Sequence, residues 1–139
     1  TSANGAVGKI IATLAKSRGI HLLNLVRRDE AVQELIDLGI ENVLSTSDAD
    51  WQQKAREMMG KAGATSAIDS VGGDVSADLV ELLGLDGELI VFGTATGAPM
   101  PLSSGSLIMK HITVKGFWGS RVSSEMGPDE RNYTASTAM

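Results

Sequence analysis

The sequence contains no cysteine, and its 12 lysines and arginines do not gather into a long basic run. The absence of cysteine excludes disulfide bonds and cysteine–zinc sites and is compatible with a reducing cytoplasm, where we expect the protein to act. The formal net charge is −5, so nucleic acid is not an expected partner. No apolar run approaches the ~20 residues that a membrane-spanning helix needs, so we expect no membrane association either.

The sequence also lacks an obvious set of catalytic side chains. Its two histidines are His21, early in a predicted strand, and His111, just before another, and both are expected to be structural. The scattered carboxylates lie in predicted loops and helix starts, where capping and solvation explain them. No nucleophile–base–acid set and no metal-ligand spacing can be assembled. We therefore predict neither a catalytic residue nor a metal site in this chain.

The start of the chain lacks an initiator methionine, and no strand precedes its first motif. A length of 139 residues leaves room for one domain with a sizeable core. The sequence shows no internal repeat, low-complexity tract or linker. We therefore expect residues 1–139 to form one domain that is a fragment of a longer polypeptide.

Small residues form the first motif that is present. Ala3, Gly5 and Gly8 occupy the three positions of a G-x-G-x-x-G pattern, with alanine in the first. An apolar stripe at helical spacing begins at Val7, and a strand is predicted over 20–26. Unpaired amides at such a helix start favour an anion, Gly5 would let a pyrophosphate approach, and Gly8 would let the helix lie close to its strand. Small residues at a tight turn also have a purely structural explanation, so the pattern alone leaves cofactor binding open.

Predicted strands and helices alternate along the whole chain. Further helices are predicted at about 30–38, at about 51–59 and over a stretch with Val75, Leu79, Leu82 and Leu83, with one helical turn over 106–110. Further strands are predicted over 42–44, 66–71, 88–92 and 112–118. The segment from Arg121 onward is polar without clear periodicity until Asp129, where a last helix could start. This alternation predicts an α/β fold, a doubly wound parallel sheet with helices on both faces.

Ligands of such a sheet bind beyond the carboxyl ends of its strands. That rule nominates five segments, in which glycines recur: Asn4 to Gly8, Arg27-Arg28, Asp69 to Gly73, Phe92 to Ala95, and Phe117 to Gly119. Glycines that simply terminate strands are the alternative for any one segment. Their recurrence at five strand ends favours a ligand.

The end of the second strand of the motif distinguishes between two dinucleotides. A site for NAD usually has Asp or Glu there, about 20 residues after the glycine turn, to accept the ribose hydroxyls. This chain has Arg27 and Arg28, whose guanidinium groups can hold the 2′-phosphate of NADP, and Asp29 comes one or two residues too late to be the usual acid. Two solvated arginines before a helix are the alternative, but we favour NADP.

Five segments come in the order and at the spacing of a known family: Ser2-Ala-Asn-Gly-Ala-Val-Gly8, Leu25-Val-Arg-Arg-Asp29, Ile68-Asp-Ser-Val-Gly-Gly73, Val91-Phe-Gly-Thr94 and Gly116-Phe-Trp118. Together they resemble the cofactor-binding, Rossmann-like domain of medium-chain dehydrogenases/reductases. The most similar branch is the mitochondrial-type 2-enoyl thioester reductases, with quinone oxidoreductases next. The resemblance covers nearly the whole chain, and alanine at position 3 is frequent in this branch.

The resemblance implies an NADPH-dependent reductase that delivers hydride to an activated double bond. It places Asn4, Gly5, Ala6 and Val7 at the pyrophosphate and Arg27 and Arg28, together with Asp29, at the adenosine phosphate. It places Phe92, Gly93, Thr94 and Ala95, with Phe117, Trp118 and Gly119, at the nicotinamide end.

The resemblance also implies parts that are missing from this chain. Family members carry a separate catalytic domain that holds the small-molecule substrate, and the first strand of the nucleotide fold, central in the sheet, is missing or cut at Thr1. The fragment alone is therefore expected to be inactive. Family members often pair through the edge strand, here Ile112 to Phe117, which implies a homodimer. A zinc alcohol dehydrogenase fragment and a non-catalytic nucleotide-sensing module remain alternatives.

Overall fold

The computed structural model describes residues 1–130 of the chain. Six helices and five strands alternate through this part. The helices are α1 (Ala6–Ser17), α2 (Asp29–Asp37), α3 (Trp51–Met59), α4 (Asp74–Leu82), α5 (Ser104–Met109) and α6 (Gly119–Glu125). The strands are β1 (Asn24–Val26), β2 (Val43–Ser45), β3 (Ala64–Asp69), β4 (Leu83–Val91) and β5 (Thr113–Gly116). No helix in this part of the chain is long and apolar enough to cross a membrane.

All strand pairs are parallel, in two groups. One group pairs β1 with β2, and the other has the order β3-β4-β5. Parallel pairs joined by crossover helices are what the alternation predicts, so the α/β fold class is confirmed.

The first three residues lie between the two groups of strands. The amide of Ala3 donates to the carbonyl of Leu25 in β1 at 3.0 Å, and the amino group of Thr1 donates to the carbonyl of Ile68 in β3 at 2.7 Å. The order across the molecule is therefore β2, β1, residues 1–3, β3, β4 and β5. Residues 1–3 occupy the central position that the resemblance gives to the first strand of the fold, which it expects to be missing or cut at Thr1, and no strand precedes α1 in the described residues.

Two apolar clusters lie on opposite faces of β1, because consecutive strand residues point in opposite directions. Leu25 packs with Trp51 and Ala55 of α3 and with Leu79 of α4. Val26, which is 1% exposed, packs in a second cluster with residues of α2. Helices thus cover both faces, as a doubly wound sheet requires.

Several predicted boundaries are wrong. Leu83 is expected in α4 but begins β4, and β4 runs from Leu83 rather than from Glu88. The register shifts between Ala64 and Ser66, which accommodates the turn around Asp86 inside β4. The strands predicted over 66–71 and 112–118 occupy 64–69 and 113–116, and only 24–26 of the strand predicted over 20–26 is paired.

The polar segment after Phe117 is also more ordered than predicted. Residues 119–125 form α6, which buries no residue and so has no apolar stripe that the sequence could reveal. Residues 128–130 are helical. The remainder of the helix predicted from Asp129 lies outside the described residues.

Candidate cofactor-binding site

One edge of the molecule collects the segments that follow the strands. Because all strands are parallel, their carboxyl ends meet at this edge. The segments come in the spatial order Arg27-Arg28, Asn4 to Gly8, Ser70 to Gly73, Phe92 to Ala95 and Phe117 to Gly119. From β1 to β5 this row spans four strand spacings, about 19 Å. Such a row suits an elongated ligand with distinct chemistry at its two ends.

The middle of the row is the turn that opens α1. The amide of Gly5 donates to the carbonyl of Ser2 at 2.9 Å, and Ser2 adopts a left-handed φ of 51°. Gly5 is the N-cap of α1 and no side chain caps the helix, so the first amides of the helix remain available to an anion. Gly5, Ala6 and Val7 are exposed. Gly8 lets α1 lie close to residues 1–3, in the position of the first strand, because a β-carbon on it would lie 2.6 Å from Ala3 Cα.

Positive charge lies at one end of the row. Arg27 and Arg28 are exposed, and neither guanidinium has a hydrogen bond or ion pair with another described residue. Arg28 is the N-cap of α2, and Asp29 begins this helix. The Asp29 carboxylate accepts a hydrogen bond from the hydroxyl of Ser47 at 3.0 Å. The arginines are therefore free to bind a phosphate, whereas Asp29 already has a partner.

A buried carboxylate anchors the loop after β3. Asp69 is 0% exposed. It accepts hydrogen bonds from the hydroxyls of Ser76 and Thr1, both at 2.6 Å, and from the amides of Val71 at 2.9 Å and Gly72 at 3.1 Å. Burial alone would raise the pKa of Asp69, but these four donors hold it below its ordinary value. The ionised carboxylate therefore fixes residues 70–73, a role that the sequence does not reveal.

The loop after β4 is joined to the loop after β3. The amide of Ala95 donates to the carbonyl of Ser70 at 3.0 Å. A β-carbon on Gly93 would lie within 3.0 Å of the Ser70 carbonyl oxygen, so only glycine fits there without a shift. Phe92 and Gly93 are partly buried, and Thr94 and Ala95 are exposed. These four predicted site residues thus form an ordered ledge beside the loop after β3.

Exposed aromatic side chains lie at the far end of the row. The amide of Phe117 donates to the carbonyl of Val91 at 2.8 Å, which places Phe117 directly beyond β5. Phe117 is 46% exposed and Trp118 is 69% exposed, and Gly119 begins α6. Flat apolar surfaces at this end contrast with the guanidinium groups at the other.

Comparison with known families identifies the chain. A family model described as "Zinc-binding dehydrogenase" matches residues 6–132. The chain belongs to this family. The resemblance to medium-chain dehydrogenases/reductases is thereby confirmed.

The curated relatives of the chain are reductases by name. The chain is 34% identical over 123 residues to the mitochondrial enoyl-[acyl-carrier-protein] reductase of Caenorhabditis elegans. The matched region covers 86% of this chain and 34% of that protein. The chain thus spans about a third of the length of the curated relatives it matches.

Solved structures share its fold. A provisionally assigned NADPH:quinone reductase from Bacillus thuringiensis superposes with a TM-score of 0.85 at 23% identity, over 99% of this chain and 41% of that one. The mitochondrial 2-enoyl thioester reductase heterodimer from Candida tropicalis gives a TM-score of 0.78 at 22% identity, over 99% of this chain and 39% of that one.

Zinc has no evident place among the described residues of this chain. Within residues 1–130, no group of three or more His, Asp or Glu side chains could hold a metal ion. Cysteine is absent from the whole sequence. The residues present do not fit a zinc site, and no step of the function is derived through zinc.

Both histidines lie away from the candidate site. His21 precedes β1 and His111 precedes β5, which puts them at the amino ends of the strands, the opposite edge. His111 Nδ1 lies 2.8 Å from the carboxylate of Asp86, and both side chains are exposed. This placement gives neither histidine access to a ligand at the carboxyl edge.

Proposed function

We propose that the chain is the NADP-binding domain, residues 1–139, of a longer two-domain oxidoreductase. The whole enzyme would transfer hydride from NADPH to the activated carbon–carbon double bond of a 2-enoyl thioester. The names of the relatives support this reaction, and the row of ligand-ready groups at the carboxyl edge supports the cofactor. The observation that carries the proposal is the pairing of an uncapped α1 turn with two arginines, on the neighbouring strand end, that have no partner among residues 1–130.

The α1 turn would hold the diphosphate. Asn4, Gly5, Ala6 and Val7 surround the helix start, where the first amides of α1 have no intrahelical acceptor. Negative charge is favoured here by those amides and by the helix dipole. Because Gly8 has no side chain, α1 lies against Ala3 and the turn lies close to the sheet edge.

The arginines would select NADP over NAD. Arg27 and Arg28 would bind the 2′-phosphate, and a guanidinium can make two parallel hydrogen bonds to phosphate oxygens. Asp29 is close in sequence and its carboxylate is engaged by Ser47. The two guanidinium groups would then be the positive groups offered to an added phosphate.

The ledge and the aromatic residues would orient the nicotinamide. NADPH supplies the hydride when it is bound. Phe92, Gly93, Thr94 and Ala95 would support the ring, and Phe117, Trp118 and Gly119 would limit its exposure to water. The acceptor would be held mainly by a catalytic domain outside this chain, so the chain alone binds cofactor without turnover.

A fluorescence titration tests the cofactor proposal. NADPH and NADH are added separately to the folded chain, and adenosine 2′,5′-bisphosphate is used to compete. We expect NADPH to bind at least about tenfold more tightly than NADH, since a charge-assisted phosphate contact contributes ~1.5–3 kcal/mol. Equal affinities would overturn the role of the arginines, and no binding of either nucleotide to a folded sample would overturn the proposal.

An NADPH:quinone reductase is the second candidate, favoured by the structural match to the protein from Bacillus thuringiensis. The longer protein distinguishes the two, because an enoyl thioester and a quinone can be supplied separately as acceptors. Oxidation of NADPH with the thioester alone supports the first candidate. No turnover with either acceptor would instead indicate a nucleotide-sensing module.

The edge strand β5 is the proposed dimer contact. It is the last strand of its sheet, and Thr113, Val114, Lys115 and Gly116 are all exposed. An exposed edge presents unpaired backbone groups to a second strand. The segment Ile112 to Phe117 would pair with its copy in a homodimer, and a monomeric mass in solution would contradict this.

A cytoplasmic location is likewise a proposal, and the C. elegans relative is mitochondrial by name.

A further inference from the structure

Thr96 lies just beyond the ledge and hydrogen-bonds to the loop after β3. Its amide donates to the carbonyl of Val71 at 2.9 Å. Its hydroxyl donates to the same carbonyl, also at 2.9 Å, and accepts from the amide of Ala98 at 3.2 Å. One side chain therefore connects the loop after β3 with both ends of the turn at residues 96–98.

Two glycines make room for this side chain. Gly72 and Gly73 are buried and have left-handed φ values of 77° and 66°. A β-carbon on Gly72 would lie 3.4 Å from Thr96 Oγ1, and one on Gly73 would lie 3.2 Å from it. The hydroxyl thus lies over a surface that only glycine leaves open at these backbone angles.

The loop beneath Thr96 is itself held in place. The carboxylate of Asp69 accepts hydrogen bonds from the amides of Val71 and Gly72. Hydrogen bonds therefore run from the buried carboxylate through Val71 to Thr96 and on to Ala98. Gly97, at the tip of the turn, closes it by donating its amide to the carbonyl of Thr94 at 3.0 Å.

The geometry points to Thr96 as a positioning residue for the nicotinamide half of the cofactor, an inference that rests on the proposed function. Through Val71 and Ala98 its hydroxyl holds residues 92–98 in one conformation before the cofactor arrives. A loop already ordered in the free protein does not weaken binding by having to become ordered. The adenosine half lies at the other end of the row and does not depend on Thr96.

The test compares two ligands on four proteins, the unchanged chain and three variants. The variant Thr96→Val removes the hydroxyl and keeps the shape, Thr96→Ser keeps the hydroxyl, and Thr13→Val is the matched control. The Thr13 hydroxyl donates to the Lys9 carbonyl on exposed α1, away from the ledge. NADPH measures the whole site, and adenosine 2′,5′-bisphosphate measures the adenosine half alone.

We expect Thr96→Val to bind NADPH about fivefold more weakly, the effect of one typical hydrogen bond. Its affinity for adenosine 2′,5′-bisphosphate should stay unchanged, and Thr96→Ser should restore the affinity for NADPH. Equal loss for both ligands, or no loss for either, overturns the inference while leaving the proposed function standing. Failure of the unchanged chain to bind either ligand overturns the proposed function and, with it, this inference.

A second readout needs no cofactor. Hydrogen exchange of the Ala95 and Ala98 amides is measured in the free chain, where both are bonded across or within the turn. Thr96→Val should speed their exchange, and Thr96→Ser and Thr13→Val should not. Unchanged exchange in Thr96→Val would show that the hydroxyl does not order the loop.

Discussion

Gly8 and Ala3 are in such close contact that a β-carbon on Gly8 would lie 2.6 Å from the Cα of Ala3 and 2.7 Å from its carbonyl oxygen. Both obstructing atoms belong to the backbone, so no side-chain rotation can relieve the clash. Residue Ala3 in turn donates its amide to β1. The distance of α1 from the centre of the molecule is therefore set by the absence of one side chain.

The variant Gly8→Ala should destabilise the chain by ~1–3 kcal/mol, because α1 must move away from residues 1–3. It should also weaken NADPH binding, since the anion-binding amides move with the helix. Thermal or urea unfolding and the NADPH titration measure the two effects.

Gly105→Ala is the matched control for this substitution. Gly105 lies in α5, and the nearest neighbour of an added β-carbon is a side-chain oxygen at 3.5 Å. Its stability should be unchanged or slightly increased, as alanine is the better helix former. Equal stability of Gly8→Ala and Gly105→Ala would show that the contact between Gly8 and Ala3 does not set the distance of α1 from residues 1–3.

Local patterns predicted the alternation of elements and the edge that collects the candidate site, because these follow from periodicity and from parallel topology. The packing of Gly8 followed from the motif in the same way. The end of α4 was not predictable from periodicity, since Leu82 and Leu83 continue its apolar stripe. The chain instead becomes extended at Leu83, and Gly84 then passes so close to Ala62 that a β-carbon on it would lie 1.9 Å from the Ala62 carbonyl oxygen.

Contacts between residues far apart along the chain could not be predicted from the sequence. The amine of Lys110 donates to the carbonyls of Val80 at 2.6 Å and Leu83 at 3.0 Å, and so caps the end of α4 from 27 or more positions away. The partners of Asp69 include Thr1, 68 positions away. Neither contact has a periodic or motif signature, and each depends on which strands become neighbours.

The double variant Arg27→Ala/Arg28→Ala should lose selectivity for NADPH. Both guanidinium groups are exposed and unpartnered among the described residues, so their removal should leave stability within ~0.5 kcal/mol. Affinity for adenosine 2′,5′-bisphosphate should fall about tenfold or more, and affinity for NADH should stay the same.

Arg56→Ala controls for the loss of one positive charge away from the site, because Arg56 lies in the last turn of α3, which precedes the amino end of β3. It should leave both affinities unchanged. If the Arg27/Arg28 variant bound NADPH as tightly as the unchanged chain, another group would have to bind the phosphate.

Asp69→Asn should destabilise the chain by ~1–3 kcal/mol at neutral pH, because an amide cannot accept all four of the hydrogen bonds that the carboxylate accepts. The pKa of Asp69 in the folded chain is below its ordinary value. Its carboxylate therefore contributes stability fully above about pH 4, and the contribution is lost as pH falls through the lowered pKa. The difference in free energy of unfolding between the two proteins should shrink in acid.

Asp86→Asn is the control for this pH dependence. Asp86 is exposed and pairs with the exposed His111, so its substitution should change the free energy of unfolding by less than ~1 kcal/mol. Urea unfolding across the acid range measures both variants. A gap between Asp69→Asn and the unchanged chain that widens in acid would contradict an ionised Asp69.

The two tryptophans should report separately on the aromatic end of the site. Trp118 is 69% exposed, whereas Trp51 is 4% exposed in the core. Acrylamide should therefore quench Trp118 and leave Trp51 emission largely intact, and Trp118→Phe should remove the quenchable component. NADPH should protect Trp118 from acrylamide, because the nicotinamide would lie against it, while adenosine 2′,5′-bisphosphate should not.

Trp118→Ala should weaken NADPH binding about fivefold, the effect expected for one aromatic contact. Undiminished quenching at saturating NADPH would show that the aromatic residues beyond β5 do not cover the cofactor.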